Sequence, residues 1–299
     1  MGMSTTELPD RQQTVERTRP RYMQVFLTFA RNSLVRDMTF RMNFILQCFT
    51  SISWTVMNIG FYLIVFQFTT QIGVNTGWEQ YQFFVFLATT WLINSLVQAF
   101  FMPNAQEFSE LIRTGNLDFA LVKPIDTQFL ISFQKVDWAA LSNFWMGIVL
   151  LSYSLWKLMT MPEDPLQLHP VVFLLYPVFI LCGCLIMYSV MITLAATSIW
   201  LGRNQTLYNF WFYLTNFSRY PMEIYWSGWG WSLWGVFTFL IPVLVVINVP
   251  ARLLAQPMNP RTPWELWLTG FALLATVLSL WISRAIFRRA LLSYRSASS

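Results

Sequence analysis

The chain has 299 residues, 56% of them hydrophobic and only 11% charged, with a net charge of +5. Soluble domains carry roughly 25% charged residues, so a soluble fold has nowhere to hide this much apolar surface. Apolar runs of about 20 residues recur, each long enough to cross a hydrocarbon core of about 30 Å. The expected class is therefore an all-α polytopic membrane protein, because a membrane barrel shows alternating segments of about ten residues instead.

Residues 1–20, MGMSTTELPDRQQTVERTRP, are polar and mixed in charge and read as a disordered tail. Gly2 with Thr6 fits the myristoylation pattern, although an acyl anchor adds little to a chain with several spans. No apolar core follows closely on the start, so the first span is expected to act as the insertion signal. From Tyr22 to Met42 the pattern predicts an interfacial helix. Tyr22, Val25, Phe26, Phe29 and Ala30 share one face, while Gln24, Thr28 and Arg31 lie away from it. The other reading is a cytoplasmic lead-in to the first span.

That span runs from Phe44 to Phe66, and the loop Gln67 to Glu79 after it lacks Lys and Arg. The second runs from Tyr81 to Met102, the third from Trp138 to Met159, and the fourth from Val171 to Leu201 with Pro177 inside. Two apolar pieces follow, Thr206–Phe217 and Leu233–Val249, separated by SRYPMEIYWSGWGW. The last span covers Trp264 to Phe287.

Basic residues orient the chain. Arg21, Arg31, Arg36 and Arg41 precede the first span, Arg113, Lys123 and Lys135 lie between the second and third, and Arg203 follows the fourth. Arg284, Arg288, Arg289 and Arg295 close the chain. The positive-inside rule places both termini and the 103–137 segment in the cytoplasm. No nucleic-acid surface is read from these charges. The parity then requires that one of the two pieces between 206 and 249 fails to cross completely, and Arg252 and Arg261 stand against the assignment as outside charges.

The segment Pro103–Asp137 is a compact, charged insert between two spans. Pro103 suits a first helical position and Gly115 a helix end. Ala105, Phe108, Leu111 and Ile112 form an apolar side, while Glu107, Glu110 and Arg113 carry the charge, with Glu110 and Arg113 paired at i, i+3. Pro124 breaks the chain again, and Asp126 or Thr127 can cap the helix leading into the third span. A stiff helix tied at both ends to spans transmits a push from a cytoplasmic partner; an ordinary helical loop is the other reading.

Chemistry is scarce. No G-x-x-x-x-G-K-[ST] loop occurs, so any nucleotide must be bound by another polypeptide. His169 is the single histidine, and Cys48, Cys182 and Cys184 sit in apolar runs as buried thiols, which leaves no metal site. The spans hold almost no ionisable residues, against an ion-coupled transporter or an intramembrane enzyme. Neutral polar residues at Asn58, Asn94, Gln98 and Asn143 are candidates for lining a pathway; hydrogen bonding between helices is their other use.

The run R-x-G-x-L-D-x-x-L-x-K-P-x-D, at Arg113, Gly115, Leu117, Asp118, Leu121, Lys123, Pro124 and Asp126, resembles the first cytoplasmic loop of type-2 ABC exporter permeases. The likeness is closest to the branch first catalogued as uncharacterised conserved permeases. FARNSLVRDMTFRMNF, SRYPMEIY, IPVLVVINVPARLL and RRALLSYRSASS are similar to that family too, so the resemblance covers nearly all of residues 21–299. It implies six transmembrane helices, an N-terminal interfacial helix, a cytoplasmic coupling helix in loop 103–137 and a re-entrant segment at 221–250, before the last span. It further implies that Glu107, Glu110, Arg113, Gly115, Asp118, Lys123, Pro124 and Asp126 couple the chain to a separate ABC ATPase, two copies per complex. ATP and Mg then belong to that partner and this chain holds no cofactor. A second permease, related but different, would complete the pore in a bacterial inner membrane, among membrane lipids. The competing reading is a scaffold or lipid scramblase that works without an ATPase.

Overall fold

Long apolar helices organise the chain, and they end where the sequence supplies breaks. The computed structural model describes residues 21–73, 76–162, 165–201, 212–226, 228–256 and 263–294. The expected tail 1–20, Glu163 and Asp164, Arg203, the start of the fifth apolar piece at 206–211, Arg261 and Arg295 lie outside those residues. Helix α1 (Tyr22–Thr39) turns at Phe40 into α2 (Arg41–Phe68). Helix α3 (Gln80–Phe100) opens on a reciprocal cap between Glu79 and Gln82. The insert forms α4 (Met102–Arg113), α5 (Leu117–Leu121) and α6 (Thr127–Phe133). Then come α7 (Leu141–Met159), α8 (Pro170–Leu201) and a short helical stretch, α9, at 212–216. Turns at Phe217–Arg219 and Met222–Trp226 lead to α10 (Gly230–Gly235), a π-helical turn (Val236–Leu240), α11 (Val243–Ala255) and α12 (Pro263–Ser293).

Among the described residues four helical stretches are long and apolar enough to cross a membrane: Arg41–Phe68, Gln80–Arg113, Pro170–Leu201 and Trp267–Ser293. Gly230–Leu240 with Val243–Ala255, bent by 86°, makes a fifth if the pair is one crossing. The expected apolar piece Leu233–Val249 is therefore broken in its middle, at Ile241–Pro242, where proline cannot supply an N–H to continue the helix. Helix α7 misses the same measure because Asn143, Lys157 and several Trp and Tyr residues dilute it. It nevertheless runs antiparallel to α3 along its length. Asp137 N donates to Ala99 O at 2.8 Å at one end, and the Tyr81 and Tyr153 rings lie 6.4 Å apart at the other.

The centre is α11, in which every residue but Arg252 is buried, against α3, α8 and α12. Gly183 lets α8 approach it, since a Cβ there would lie 2.9 Å from Val246 O. By contrast α2 buries only Thr55, and its apolar side chains face outward nearly all round.

Away from the insert, a buried ion pair fastens the 222–226 turn to α11. Glu223 pairs with Arg252, and their side chains are 5% and 11% exposed. Trp78 Nε1 donates to the same carboxylate at 3.1 Å, and Met222 N donates to Asn248 Oδ1 at 2.9 Å. Arg252, which counts against the expected orientation when taken as a loop charge, is thus neutralised inside the protein.

Two outcomes follow. Arg252→Met leaves Glu223 buried and unpaired and is expected to cost about 3–5 kcal/mol, most of it recovered when Glu223→Gln is added. Gly183→Val overpacks the α8–α11 contact and is expected to cost about 1–3 kcal/mol. Thermal midpoints in detergent, followed by the surviving monodisperse fraction, check both.

Candidate functional site

The insert is built from short helices whose ends the sequence dictates. Pro103 occupies the first turn of α4, where a missing N–H costs nothing. The last turn closes through Thr114 N to Glu110 O, and Gly115 then takes a φ of +73°, the left-handed conformation that glycine adopts without strain. Helix α4 continues α3, the two together forming the 34-residue stretch Gln80–Arg113. Asn104 clasps the return strand: its Nδ2 donates to Lys135 O and its Oδ1 accepts from Lys135 N, both at 2.7 Å. Spacing gives no hint of this clasp, because a lone Asn in a first helical turn reads as a local cap.

A second apolar core lies under the insert. Phe108, Leu117, Ala120, Leu130 and Ile131 pack against Ile192, Ala195 and Ala196 of α8 and Phe287 and Ala290 of α12. Helix α1 covers α6 from outside. The Tyr22 and Phe129 rings lie 4.8 Å apart, those of Phe26 and Phe133 5.7 Å apart, and Trp138 Nε1 donates to Ala30 O at 3.2 Å. The apolar face read for α1 is thus turned onto protein, while Met23, Leu27 and Val35 on other sides stay exposed.

The charged candidates fall into separate groups. Glu107 pairs with Lys135 at 2.8 Å, and Glu110 with Arg113, whose Nε donates at 2.8 Å. Asp126 caps α6 by accepting from Phe129 N at 3.0 Å and pairs with Arg284 of α12, whose Nη1 also donates to Gln128 Oε1 at 2.7 Å. Gln128 and Ser132 both meet the Tyr188 hydroxyl, at 2.9 and 2.8 Å, extending the network to α8. The hydrogen bond from Arg284, with that from Phe129 N, holds the Asp126 carboxyl below the usual carboxylate range despite its partial burial. The helix that Asp126 caps is α6, separate from α7. Asp137 serves the latter, accepting from Ala139 N at 3.0 Å and Ala140 N at 3.3 Å. Asp118 is half-buried in α5, and Lys123 and Pro124 are exposed.

The end of the insert is apolar and bare. Phe119 is 75% and Val122 84% exposed, and α4 carries them about 18 Å past Met102 at 1.5 Å per residue. Pattern alone hides this, because both look like core positions. Among the four pathway candidates, Asn58 donates to Trp54 O within its own helix at 3.0 Å, and Asn143 accepts from Thr55 Oγ1 at 3.1 Å, joining α2 to α7. Asn94 is half-buried and Gln98 exposed on α3, and neither has a hydrogen-bond partner among the described residues.

Among the described residues no three His, Cys, Asp or Glu side chains gather closely enough to hold a metal. The insert continues α3 without a break, joins α7 through Lys135–Ala140, and packs against the ends of α8 and α12. These features define a helical membrane protein with several of its long helices meeting at the 103–137 insert. A family model described as ABC-2 family transporter protein matches residues 52–298, and the chain belongs to that family. No curated protein and no solved structure matches it.

Asp126→Asn keeps an acceptor for Phe129 N but removes the charge facing Arg284. For a pair about a third exposed, the expected loss is about 1 kcal/mol. Because the folded carboxyl titrates below its unfolded value of about 3.9, the wild-type contribution is complete above that pH. It fades only as pH falls through the lowered value. The difference in melting temperature between wild type and variant should therefore be constant from pH 7 to 5 and shrink in stronger acid.

Proposed function

We propose that the chain is the transmembrane subunit of an ATP-driven exporter, coupled through loop 103–137 to a separate ATPase. The observation that carries this reading is the bare apolar end of the insert. Phe119 and Val122 stand exposed beyond α4, and in this reading they lie outside the hydrocarbon that α3 crosses, where lipid does not cover them. A docked protein removes that apolar area from water. The alternation of Arg113, Asp118 and Lys123 around them supplies a polar rim of the kind that borders protein interfaces. In this reading Glu107, paired with Lys135, and Asp126, paired with Arg284, brace the insert, Glu110 and Arg113 pair on its exposed surface, and α5 makes the contact.

ATP and Mg are bound by the partner, present as two copies. Closure of the ATPase pair displaces the insert as a rigid body. The second core and the Asp126–Arg284 pair pass the movement to α8 and α12, while α3 and α7 carry it directly, a two-state shift of packed helices. The bare sides of α2 and the Asn94–Gln98 face of α3 suit a second permease, related but different, with the pathway between the two. Counting α7 and the 206–219 piece as crossings and the bent 221–250 segment as re-entrant gives six spans within domain 21–299, preceded by the tail 1–20. Both termini and the insert then face the cytoplasm of a bacterial inner membrane, with α1 at its interface.

Affinity purification of the tagged chain in mild detergent tests the reading. Wild type should bring down an ABC ATPase, and Phe119→Ser/Val122→Ser should reduce its recovery at least tenfold while the chain stays monodisperse. Full recovery with the double variant would remove α5 as the contact. A wild-type chain that emerges alone and moves lipid in vesicles would replace the exporter reading with that of a scramblase.

A further inference from the structure

A cavity of about 650 Å³ opens between the α1–α2 elbow, the first turns of α4 and the strand entering α7, within the range of about 300–1,000 Å³ typical of small-molecule sites. Its charged lining is Arg36, Asp37, Glu107, Glu110, Lys135 and Asp137, four acids against two bases. Both bases are already held by acids of the same wall, Arg36 by Asp37 at 3.2 Å and Lys135 by Glu107 at 2.8 Å, and Glu110 is held by Arg113 from outside it. Asp137 gives Oδ1 to the backbone of α7, and Oδ2 has no partner among the described residues. The uncompensated charge of the cavity is therefore the single negative charge of Asp137. Its opposite wall is mixed, with Phe40 and Phe44 beside Asn43 and Gln47, and leads onto the uncovered side chains Ile45 and Phe49 of α2.

We propose that this cavity binds the cationic amine head of an amphiphile whose tail lies along α2. An ammonium has only donors to offer, which matches a wall of carboxylates, and a neighbouring apolar helix solvates the chain attached to it. With α2 and α3 as crossings, the position, where α3 passes into α4 and α1 turns into α2, would fall at the level of headgroups. The site rests on the exporter reading only for which leaflet it faces. It explains an arrangement that the insert's mechanics leave unused, with Glu107 and Glu110 bordering a hollow as well as bracing a helix.

Binding of radiolabelled dodecylamine to the purified full chain in a non-ionic detergent tests it. Saturable binding is expected, displaced at least tenfold more weakly by dodecanol, which has the same tail and no charge. Asp137→Asn, which keeps the acceptor for α7, should lower affinity about tenfold. Displacement by phosphatidylethanolamine and not by phosphatidylglycerol identifies a lipid headgroup as the occupant, and displacement only by single-chain amines identifies a soluble amphiphile. Equal displacement by dodecanol, or unchanged binding to the variant, overturns the proposal. If the variant does not fold, the comparison of dodecylamine with dodecanol on wild type decides alone. Amine binding by a chain that recruits no ATPase would remove the exporter reading and leave this site in place.

Discussion

Among the described residues, three helical stretches exceed by the widest margin the thickness of a hydrocarbon core, and much of the architecture follows from that excess. The α3–α4 stretch, α8 and α12 have 34, 32 and 31 residues, about 51, 48 and 46 Å at 1.5 Å per residue, against a hydrocarbon core of about 30 Å. The overhang emerges into water still carrying Phe108, Ile192 and Phe287, and these bury one another. Without the ends of α8 and α12 the insert would expose its apolar side. Without the insert those ends would project as bare hydrophobic rods. The second core is therefore obligatory for both, and it turns a loop between two spans into a joint among four.

The far side of the molecule solves a different problem by similar means. Helix α11 carries almost no polarity except Asn248 and Arg252, and both are used to hold the 222–226 turn. A polar side chain in an apolar centre needs a partner, so the turn cannot move away from α11 without stranding a charge. The two ends of the protein are thus held differently: apolar packing with one partly exposed ion pair beside the insert, and a fully enclosed pair opposite. A rearrangement that starts at the insert meets the softer attachment first.

Much of this was legible in the sequence. Helix-scale apolar runs, Pro103 and Gly115 set the long helices and α4 to within a few residues, because breaks and caps act locally, whereas the Asp126 cap belongs to the separate helix α6 and not to the one entering the third span. What stayed hidden depends on contacts between distant residues. Arg284 and Arg252 look like topology charges until Asp126 and Glu223 are placed beside them. Asn104 looks like a cap until Lys135 arrives, and Phe119 looks like core because type says nothing of which side of a five-residue helix remains open. The break at Pro242 was printed in the sequence but masked by the strong apolarity on either side.

The modest apolarity of α7 bears on how the protein is made. A segment carrying Asn143 and Lys157 gains little from entering lipid by itself, because a charge or amide costs several kcal/mol there. Helix α3 ends some forty residues before α7 begins, so it would leave the ribosome first. If α7 is counted as a crossing, their antiparallel fit would give the later segment a protein surface to enter against, and its membrane integration would be a folding step conditional on the earlier one. Biogenesis then has a built-in order, and a weakened α3 surface would surface first as a failure of insertion, before any loss of stability in the finished molecule.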